Sequence, residues 1–277
     1  MIRQQLLPSG WYPRDPDRIR DLVRQWEDIA PLPRGSAPAL SVIAPHAGWS
    51  FSGGPAYRAV RRLGNPKTIV IVGGHLGPSS PVLLFPEDRF ATPFGELHVD
   101  AGLRHYLRDS MALRTDGSPD NSVDIFLPMV AALFPKSSVL CLRAPAGRVA
   151  AKLGAAIADY AAGRTGVALI GSTDLTHYGA NFAFTPAGAG PEAVEWARDN
   201  DREFLKLCET GNAEGAVDHA VENRSACSPG AAASAIRFAH RFGVTTGEIL
   251  EHTSSYEIRP ADSFVGYGSV IYPTTAG

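Results

Sequence analysis

The pattern of hydrophobic and polar positions divides most of the chain into short apolar runs that alternate with helical periodicities. Three runs, LSVIAP, KTIVIVGG and VALIG, have the length of a strand and are apolar nearly throughout, which is typical of strands buried on both faces of a sheet. They begin at Leu40, Lys67 and Val167. Further strands are predicted at residues 81–85, 138–143, 246–252 and 264–272.

Helical periodicity separates these strands. Helices are predicted at residues 15–29, 54–63, 101–108, 123–133, 148–161, 192–209 and 229–241. This alternation predicts an α/β fold, a single domain in which helices flank a central mixed, largely parallel sheet. Residues 1–39 are expected to form an N-terminal strap with one helix, and residues 40–277 the core. The last strand, FVGYGSVIY, is expected to close one edge of the sheet.

Composition and charge limit the classes of binding partner and the cellular compartment that we expect for the protein. The 26 basic and 28 acidic residues leave a formal net charge of -2, which favours neither nucleic acid nor an anionic membrane as partner. No stretch approaches the ~20 apolar residues needed to cross a bilayer, and the first residues lack the apolar segment of a secretory signal. We therefore expect a soluble, cytoplasmic protein. Its cysteines form no CxxC pair, and reduced thiols are expected.

Three histidines each follow one of the apolar runs. These are His46, His75 and His177. A single loop histidine is ordinarily a solvated side chain, but ligands bind in the crevice beyond the carboxyl ends of parallel strands. Three imidazoles at equivalent positions therefore predict a metal site. The remaining histidines are interpreted as surface or packing residues: His98, His105, His219, His240 and His252.

One cysteine occupies a position that favours reactivity. Cys227 precedes Ser228 and Pro229, which are suited to the N-cap and first-turn positions of a helix. The helix dipole stabilises a thiolate at this end, so Cys227 is expected to act as a nucleophile or as a metal ligand. Cys141 and Cys208 lie in an apolar strand and on an apolar helical stripe, and are interpreted as core residues.

The segment STDLTHYG combines three polar groups. Asp174 lies three residues before His177, a spacing that lets a carboxylate hold an imidazole tautomer, and Tyr178 is placed to donate to a bound oxygen. The alternative is a capping aspartate beside a surface histidine.

Two further loops can be interpreted either as ligand-binding sites or as ordinary turns and helix caps. Gly53 and Gly54, followed by Pro55, are suited to a helix N-terminus that binds an anion, or to a plain strand-to-helix turn. Asp120 and Asn121 stand at a predicted helix start, where capping accounts for them.

Four segments, in order along the chain, resemble the Memo family, whose members are related in fold to the LigB-type extradiol dioxygenases. PHAGWSFSGG is similar to the signature PHAGY-x-YSG, and IVIVGGHLGPSS to a strand that ends in GPNH or GPSH. STDLTHYG is similar to SSDLSHYG, and SACSPGAAASAI to the segment that carries the family's cysteine ahead of a helix. The resemblance extends from about residue 40 to the carboxyl terminus and implies a LigB/Memo-like fold.

The resemblance implies a metal site at His46, His75 and Cys227, with Asp174 and His177 lining the same pocket. Related dioxygenases place an acid/base histidine at the last of these positions and use a carboxylate as the third ligand. A thiolate is softer, so the implied cofactor is a divalent or redox metal ion, iron(II) or copper ahead of zinc.

The chain departs from the family in one segment. Where the family reads EHSxExHLP, this chain reads DNSVDIFLP, with Asn121 and Phe126 at the positions of two histidines. We therefore expect different groups around the site than in relatives.

Three functions remain open from the sequence. The leading hypothesis is a Memo-like metal-binding protein with redox or dioxygenase-type activity on a small organic substrate, in which His177, supported by Asp174, moves protons. The second is a cysteine hydrolase that uses Cys227, His177 and Asp174. The third is a non-catalytic module that binds a peptide or another small ligand, with Tyr178 and GWSFSGG as recognition elements. The resemblance also implies a functional link to AMMECR1-like and radical-SAM proteins.

Overall fold

Two β-sheets and ten α-helices make up the part of the chain that the computed structural model describes, residues 1–164 and 166–274. The strands are β1 (Ile2–Arg3), β2 (Ala39–Ala44), β3 (Thr68–Gly73), β4 (Val82–Leu84), β5 (Arg89–Thr92), β6 (Gly95–His98), β7 (Leu113–Thr115), β8 (Ser138–Arg143), β9 (Val167–Ser172), β10 (His177–Tyr178), β11 (Glu248–Ser254) and β12 (Phe264–Pro273). The helices are α1 (Pro16–Ile29), α2 (Trp49–Val60), α3 (Ala101–Ser110), α4 (Asn121–Asp124), α5 (Leu127–Leu133), α6 (Arg148–Ala161), α7 (Pro191–Glu209), α8 (Ala213–Asn223), α9 (Pro229–His240) and α10 (Ser255–Ile258).

The larger sheet has a parallel centre and antiparallel flanks. Its order is β10-β12-β2-β9-β3-β8-β4-β7, and β11 also pairs with β12. Strands β2, β9, β3 and β8 are mutually parallel, whereas β12 runs antiparallel to β2 and β4 runs antiparallel to β8. Strands β1, β5 and β6 form the smaller sheet. The predicted α/β fold with a central mixed sheet flanked by helices is confirmed.

Helices cover both faces of the larger sheet, which explains why its central strands are apolar nearly throughout. Because side chains alternate between the two faces of a strand, Ile69 and Ile71 of β3 pack with α1, α2 and α5. Val70 and Val72, on the opposite face, pack with α3 and with α6 to α9. The carboxyl edge of the sheet is left for the loops that follow β2, β9 and β3.

Strand β12 does not close an edge of the sheet, so this prediction is wrong. Its residues Val270 and Ile271 pair with β2 on one side and with β11 on the other, and its first residues pair with β10. The small residues that suggested an edge serve a different purpose. A side chain at Gly266 or Gly268 would meet Asp201 and Leu205 of α7, so the glycines let this helix pack closely on the strand.

Helix α2 begins at Trp49 and not at the predicted residue 54, and Pro55 lies inside it. Its first turn is satisfied locally, because the backbone N–H of Trp49 donates to the carbonyl of Trp11 at 2.8 Å and that of Ser52 to Gly48 at 3.1 Å. Gly53 and Gly54 therefore lie within the helix, which favours the plain strand-to-helix turn over an anion site.

Other differences concern element boundaries. The predicted helix at 123–133 is divided into α4 and α5 by Ile125 and Phe126, ahead of Pro128 at the start of α5. Helix α8 was not predicted, because its buried face consists mainly of small alanines. The predicted core extends to residue 277, and residues 275–277 lie outside the described part of the chain.

Across the residues described, no helix has both the length and the apolar character that a membrane span requires.

The N-terminal segment packs against the elements of the core. Strand β1 pairs with β5, and Ile19 of α1 is fully buried in the same hydrophobic cluster as Val42 of β2. Trp26 of α1 lies 5.6 Å from Trp49 of α2, measured between ring centroids. Helix α1 therefore covers α2, which begins three residues after His46.

Candidate metal centre

Three side chains able to ligate a metal converge at the carboxyl edge of the parallel strands. His46 and His75 stand two residues beyond the ends of β2 and β3, and Cys227 stands two residues before α9. The Nε2 atoms of the two histidines are 3.1 Å apart, and Sγ of Cys227 is 3.3 Å from Nε2 of His46. All three ligand atoms lie within 4.8 Å of one another. The structure thus brings together the three ligands that the resemblance implies, and His177, the third imidazole of the strand-end prediction, is not part of this group.

Both imidazoles are oriented through their other nitrogen. Nδ1 of His46 hydrogen-bonds with Oγ of Ser172 at 2.8 Å, and Nδ1 of His75 with Oδ2 of Asp120 at 3.0 Å. Partners of this kind fix the ring and its tautomer and leave Nε2 for a metal. A carboxylate on a histidine also increases the basicity of the ligating nitrogen.

The loop after β9 holds the cysteine in place. The backbone N–H of Cys227 donates to the carbonyl of Asp174 at 3.2 Å, and that of Ser228 donates to Oγ1 of Thr173 at 3.0 Å. Oγ of Ser228 in turn accepts from the backbone N–H of His75 at 3.2 Å. Ser228 therefore connects the loop after β9 with the loop after β3, and its side chain makes no capping hydrogen bond to α9.

His75 has an unusual backbone conformation. Its φ angle of 57° lies in the left-handed region, where residues other than glycine are uncommon. Its backbone N–H and both ring nitrogens contact other residues of the centre, namely Ser228, Asp120 and His46. These contacts hold the strained conformation, as is frequent at functional sites.

The three ligand side chains shift one another's proton affinities. Burial by itself would raise the pKa of Cys227, but the charges and hydrogen bonds of His46 and His75 hold it well below its usual value. Burial would lower the pKa of His75, yet its hydrogen bonds to Asp120 and Cys227 raise it to about 10. The pKa of His46 is also raised, because Asp174 and Cys227 outweigh its burial. The cluster therefore favours a thiolate beside cationic charge.

Two carboxyl groups near the centre have opposite shifts. Burial opposes ionisation of Asp120, but hydrogen bonds from His75 and Ser122 and the charge of Arg143 lower its pKa to about 2. Burial raises the pKa of Asp174, and the nearby His46 only partly offsets this. Asp120 is thus the ionised partner of the cluster, while burial makes ionisation of Asp174 less favourable than in water.

The donor set fits a metal ion. With bonds of about 2.0–2.1 Å to nitrogen and about 2.3 Å to sulfur, ligand atoms around a tetrahedral ion lie roughly 3.3–3.6 Å apart. The separations of 3.1 and 3.3 Å at His46 differ from these by a few tenths of an ångström, and the third separation, between the ligand atoms of His75 and Cys227, is within 4.8 Å. The side chain of His75 is 31% exposed, so solvent reaches the cluster from this side. Three protein ligands with an open side are typical of a catalytic metal site.

Asp174 lies at the centre but not against the predicted histidine. Oδ1 of Asp174 accepts from the backbone N–H of His46 at 2.6 Å, and Oδ2 lies 3.8 Å from Nε2 of the same residue. Nδ1 of His177 instead donates to the carbonyl of Leu175 at 3.0 Å, and its ring packs edge-on against Phe182. The carboxylate therefore positions the loop of His46, and Nδ1 of His177 is held by a backbone carbonyl and not by Asp174.

Tyr178 lies apart from the ligand set. Its buried hydroxyl donates to the carbonyl of Gly188 and accepts from the backbone N–H of Ala187, both at 3.0 Å. The ring stacks on Phe264 at 5.2 Å between centroids. Because its hydroxyl is used by backbone groups, this position does not support the predicted contact to a bound oxygen.

Sequence reasoning missed two residues that orient the histidines. Asp120 was interpreted as a helix cap, and its Oδ1 does accept from the backbone N–H of Ser122. Its second oxygen, however, contacts His75. Ser172, the last residue of β9, was not singled out. Of these two residues, only Asp120 could have been singled out from the sequence. It occupies the first position of the segment in which this chain departs from the Memo pattern.

The two departures within that segment have structural roles. The side-chain amide of Asn121 donates to the carbonyl of His46 at 3.3 Å, so this residue supports the ligand loop. Phe126 is buried among apolar residues on the α2 side of the sheet. Neither contributes a further imidazole to the centre.

Comparisons with known proteins identify the family of the chain. A sequence model of Memo-like proteins matches residues 3–271. MEMO1 family proteins of Thermococcus kodakarensis and Pyrococcus horikoshii are both 29% identical to this chain, over 98% of it and 99% of their own length. The crystal structure of an uncharacterized protein from Escherichia coli K12 shares the fold, with a TM-score of 0.51 at 12% identity over 83% of this chain and 98% of that one. The residues at the strand ends and the match over nearly the whole chain lead to one conclusion: the chain belongs to the Memo family.

Proposed function

We propose that this protein is a metal-dependent redox protein that acts on a small organic substrate, with His46, His75 and Cys227 as the metal ligands. One observation carries the proposal. Two Nε2 atoms and a thiol sulfur converge within 4.8 Å, while both Nδ1 atoms are held by other side chains. Such a cluster of electron-pair donors calls for a shared cation, and a metal ion matches its donors and spacing.

The donor set favours iron, copper or zinc over a hard cation. A thiolate beside two imidazoles is soft to borderline, and such sites select iron(II), copper or zinc over magnesium and calcium. The lowered pKa of Cys227 means that little energy is needed to deprotonate the ligand at neutral pH. Iron(II) or copper, when bound there, supplies electron transfer and an open coordination position for oxygenase-type chemistry.

The surrounding residues hold the ligands and carry protons. Asp120 and Ser172 orient the two imidazoles, and Asn121 and Asp174 fix the backbone of His46. His177 donates through Nδ1 to a backbone carbonyl, which leaves its Nε2 available to accept and release a proton. We assign His177 the role of proton carrier on this ground.

The test is the metal content of protein purified anaerobically without chelators, compared with His75→Ala and Cys227→Ser. We expect near-stoichiometric iron or copper that falls by at least about tenfold in both variants, because each loses one ligand of three. His105→Ala is the matched control, since the side chain of His105 is 81% exposed on α3. Circular dichroism of each variant establishes that it is folded.

Two results would contradict the proposal. Zinc as the sole bound metal would leave the metal site in place but remove the redox function. Metal-free protein that also fails to bind iron(II), copper or zinc on anaerobic reconstitution would remove the metal site itself.

A second function has one observation in its favour. Cys227 has a lowered pKa and lies 3.3 Å from the imidazole of His46, which is the arrangement of an activated thiol nucleophile. In this version His46 replaces His177 as the base. Rapid alkylation of Cys227 by iodoacetamide that added iron(II) or copper does not slow would favour the nucleophile, whereas protection by metal would favour the ligand.

A further inference from the structure

A groove far from the ligand set runs between α6, α8 and α9. It consists of two adjoining compartments that share the side chains of Arg148, Ala151 and Glu214 along their boundary. One compartment has a volume of about 280 Å³ and the other about 580 Å³. His46, His75 and Cys227 line neither of them. The two compartments differ in chemistry, and this difference indicates what the groove can bind.

The first compartment is apolar. Its wall is formed by Ala151, Ala213, Val217 and Ala233, and Val221 stands at its mouth with 50% of its surface exposed. These small side chains come from three different helices and leave the space between the helices open. The volume is near the lower end of the roughly 300–1,000 Å³ range of ligand pockets, so it suits a short apolar chain.

The second compartment is basic. Its lining includes four cationic side chains, from Arg148, Lys152, Arg237 and Arg241, and a single carboxylate, Glu214. Glu214 is neutralised by Arg237 at 3.2 Å, and Arg241 pairs with an aspartate of α6. Among the residues that the structure describes, Arg148 and Lys152 have no acidic partner within ion-pair distance. They lie one helical turn apart on α6, at i and i+4, and are free to bind an anion.

The charges also give the groove a direction. Asp218 and Glu222 of α8 line the apolar compartment and not the basic one, and neither has an ion-pair partner among the described residues. An anionic head group is repelled from this rim and attracted to Arg148 and Lys152. The apolar body of the same molecule then occupies the space beside Val217.

We propose that this groove is a second binding site that takes a small amphiphilic anion. Its apolar chain lies in the compartment of Ala151, Val217 and Ala233, and its carboxylate lies between Arg148 and Lys152. The proposal does not depend on the metal centre, because the two sites share no residue.

The test uses two probes with the same chain and opposite heads, octanoate and octylammonium, titrated calorimetrically into the full-length protein. We expect octanoate to bind and octylammonium to bind at least about tenfold more weakly, because the head groups meet opposite charges. Butyrate has the same carboxylate with a shorter chain, and we expect it to bind more weakly than octanoate because it buries less apolar surface.

The variant Arg148→Gln/Lys152→Gln is expected to weaken octanoate binding by about tenfold or more, because it removes both free cations. Both side chains are exposed, so the fold does not depend on them. The matched control is Arg18→Gln/Arg108→Gln, which removes two exposed cations outside the groove and should leave binding unchanged. Equal binding of octylammonium, or unchanged octanoate binding in the groove variant, would overturn the proposal.

Discussion

Side chains outside the ligand set decide how the two imidazoles face the third ligand. Asp120 accepts from Nδ1 of His75 and also from Arg143 at 3.0 Å, so its carboxylate connects the candidate metal centre to a buried ion pair. Asp116 accepts from the same guanidinium at 2.6 Å without contacting a histidine. Asp120 therefore contacts both His75 and Arg143, whereas Asp116 contacts Arg143 and no histidine. Substituting each aspartate in turn distinguishes the contact with His75 from the contact with Arg143.

We predict that Asp120→Asn weakens metal binding by about 10–100-fold, because His75 loses the carboxylate that orients it and increases its basicity. The measurement is metal affinity by competition with a chromophoric chelator. Asp116→Asn is the control, and it should weaken metal binding much less. An equal loss in both variants would show that the ion pair with Arg143 matters and the contact with His75 does not.

The centre is assembled from the ends of elements that are distant along the chain. Strands β2, β9 and β3 are adjacent and parallel, so the loops that carry His46, Asp174 and His75 leave the sheet side by side. Helix α9 brings Cys227 to this edge. The approach is close, because a Cβ atom added at Gly74 would lie 2.8 Å from Cα of Ser228.

We predict that Gly74→Ala displaces the start of α9 from the loop of His75. The expected results are a loss of unfolding free energy of about 1–3 kcal/mol, as for other overpacked positions, and a reduced metal affinity. Gly77→Ala is the control, since a Cβ atom there has no neighbour within 4 Å. Urea unfolding and metal titration of both variants check the prediction, and a Gly74→Ala protein with unaltered metal affinity would contradict it.

The molecule as a whole is held together partly by its N-terminal segment. The hydroxyl of Tyr57 in α2 donates to Oε2 of Glu27 in α1 at 2.6 Å, and Arg61 pairs with the same carboxylate. Burial and the contact with Glu27 raise the pKa of Tyr57 to about 12. Since α2 begins close to His46, this contact fastens α1 over the helix that follows the metal centre.

We predict that Tyr57→Phe lowers the unfolding free energy by about 1–2 kcal/mol at neutral pH, because a hydrogen bond to a charged group is lost. The pKa of Tyr57 is raised on folding, so its contribution is complete below the unfolded value of about 10 and disappears as the pH rises through about 12. The difference between wild type and variant should therefore shrink between about pH 9 and about pH 11.5. Urea unfolding across this range is the measurement, and a constant difference would contradict the assignment.

Much of the architecture could be predicted because periodicity is a local property of the chain. The predicted boundaries of β8 and α6 agree with the structure, and those of α1 differ by one residue. Helix α8 was missed because alanines give a weak apolar signal, and the start of α2 was misplaced because Pro55 suggested a first-turn position. The interior position of β12 required knowledge of its partners on both sides.

The sequence by itself determined the α/β fold, because apolar runs define the strands, and its resemblance to the Memo family indicated His46, His75 and Cys227 as candidate ligands. Only the tertiary structure decided which partner each polar group takes. Asp174 lies three residues from His177 in the chain yet contacts His46, 128 residues away, because β2 and β9 are neighbours in the sheet. Sheet order and side-chain direction set these contacts, and neither is encoded in local spacing.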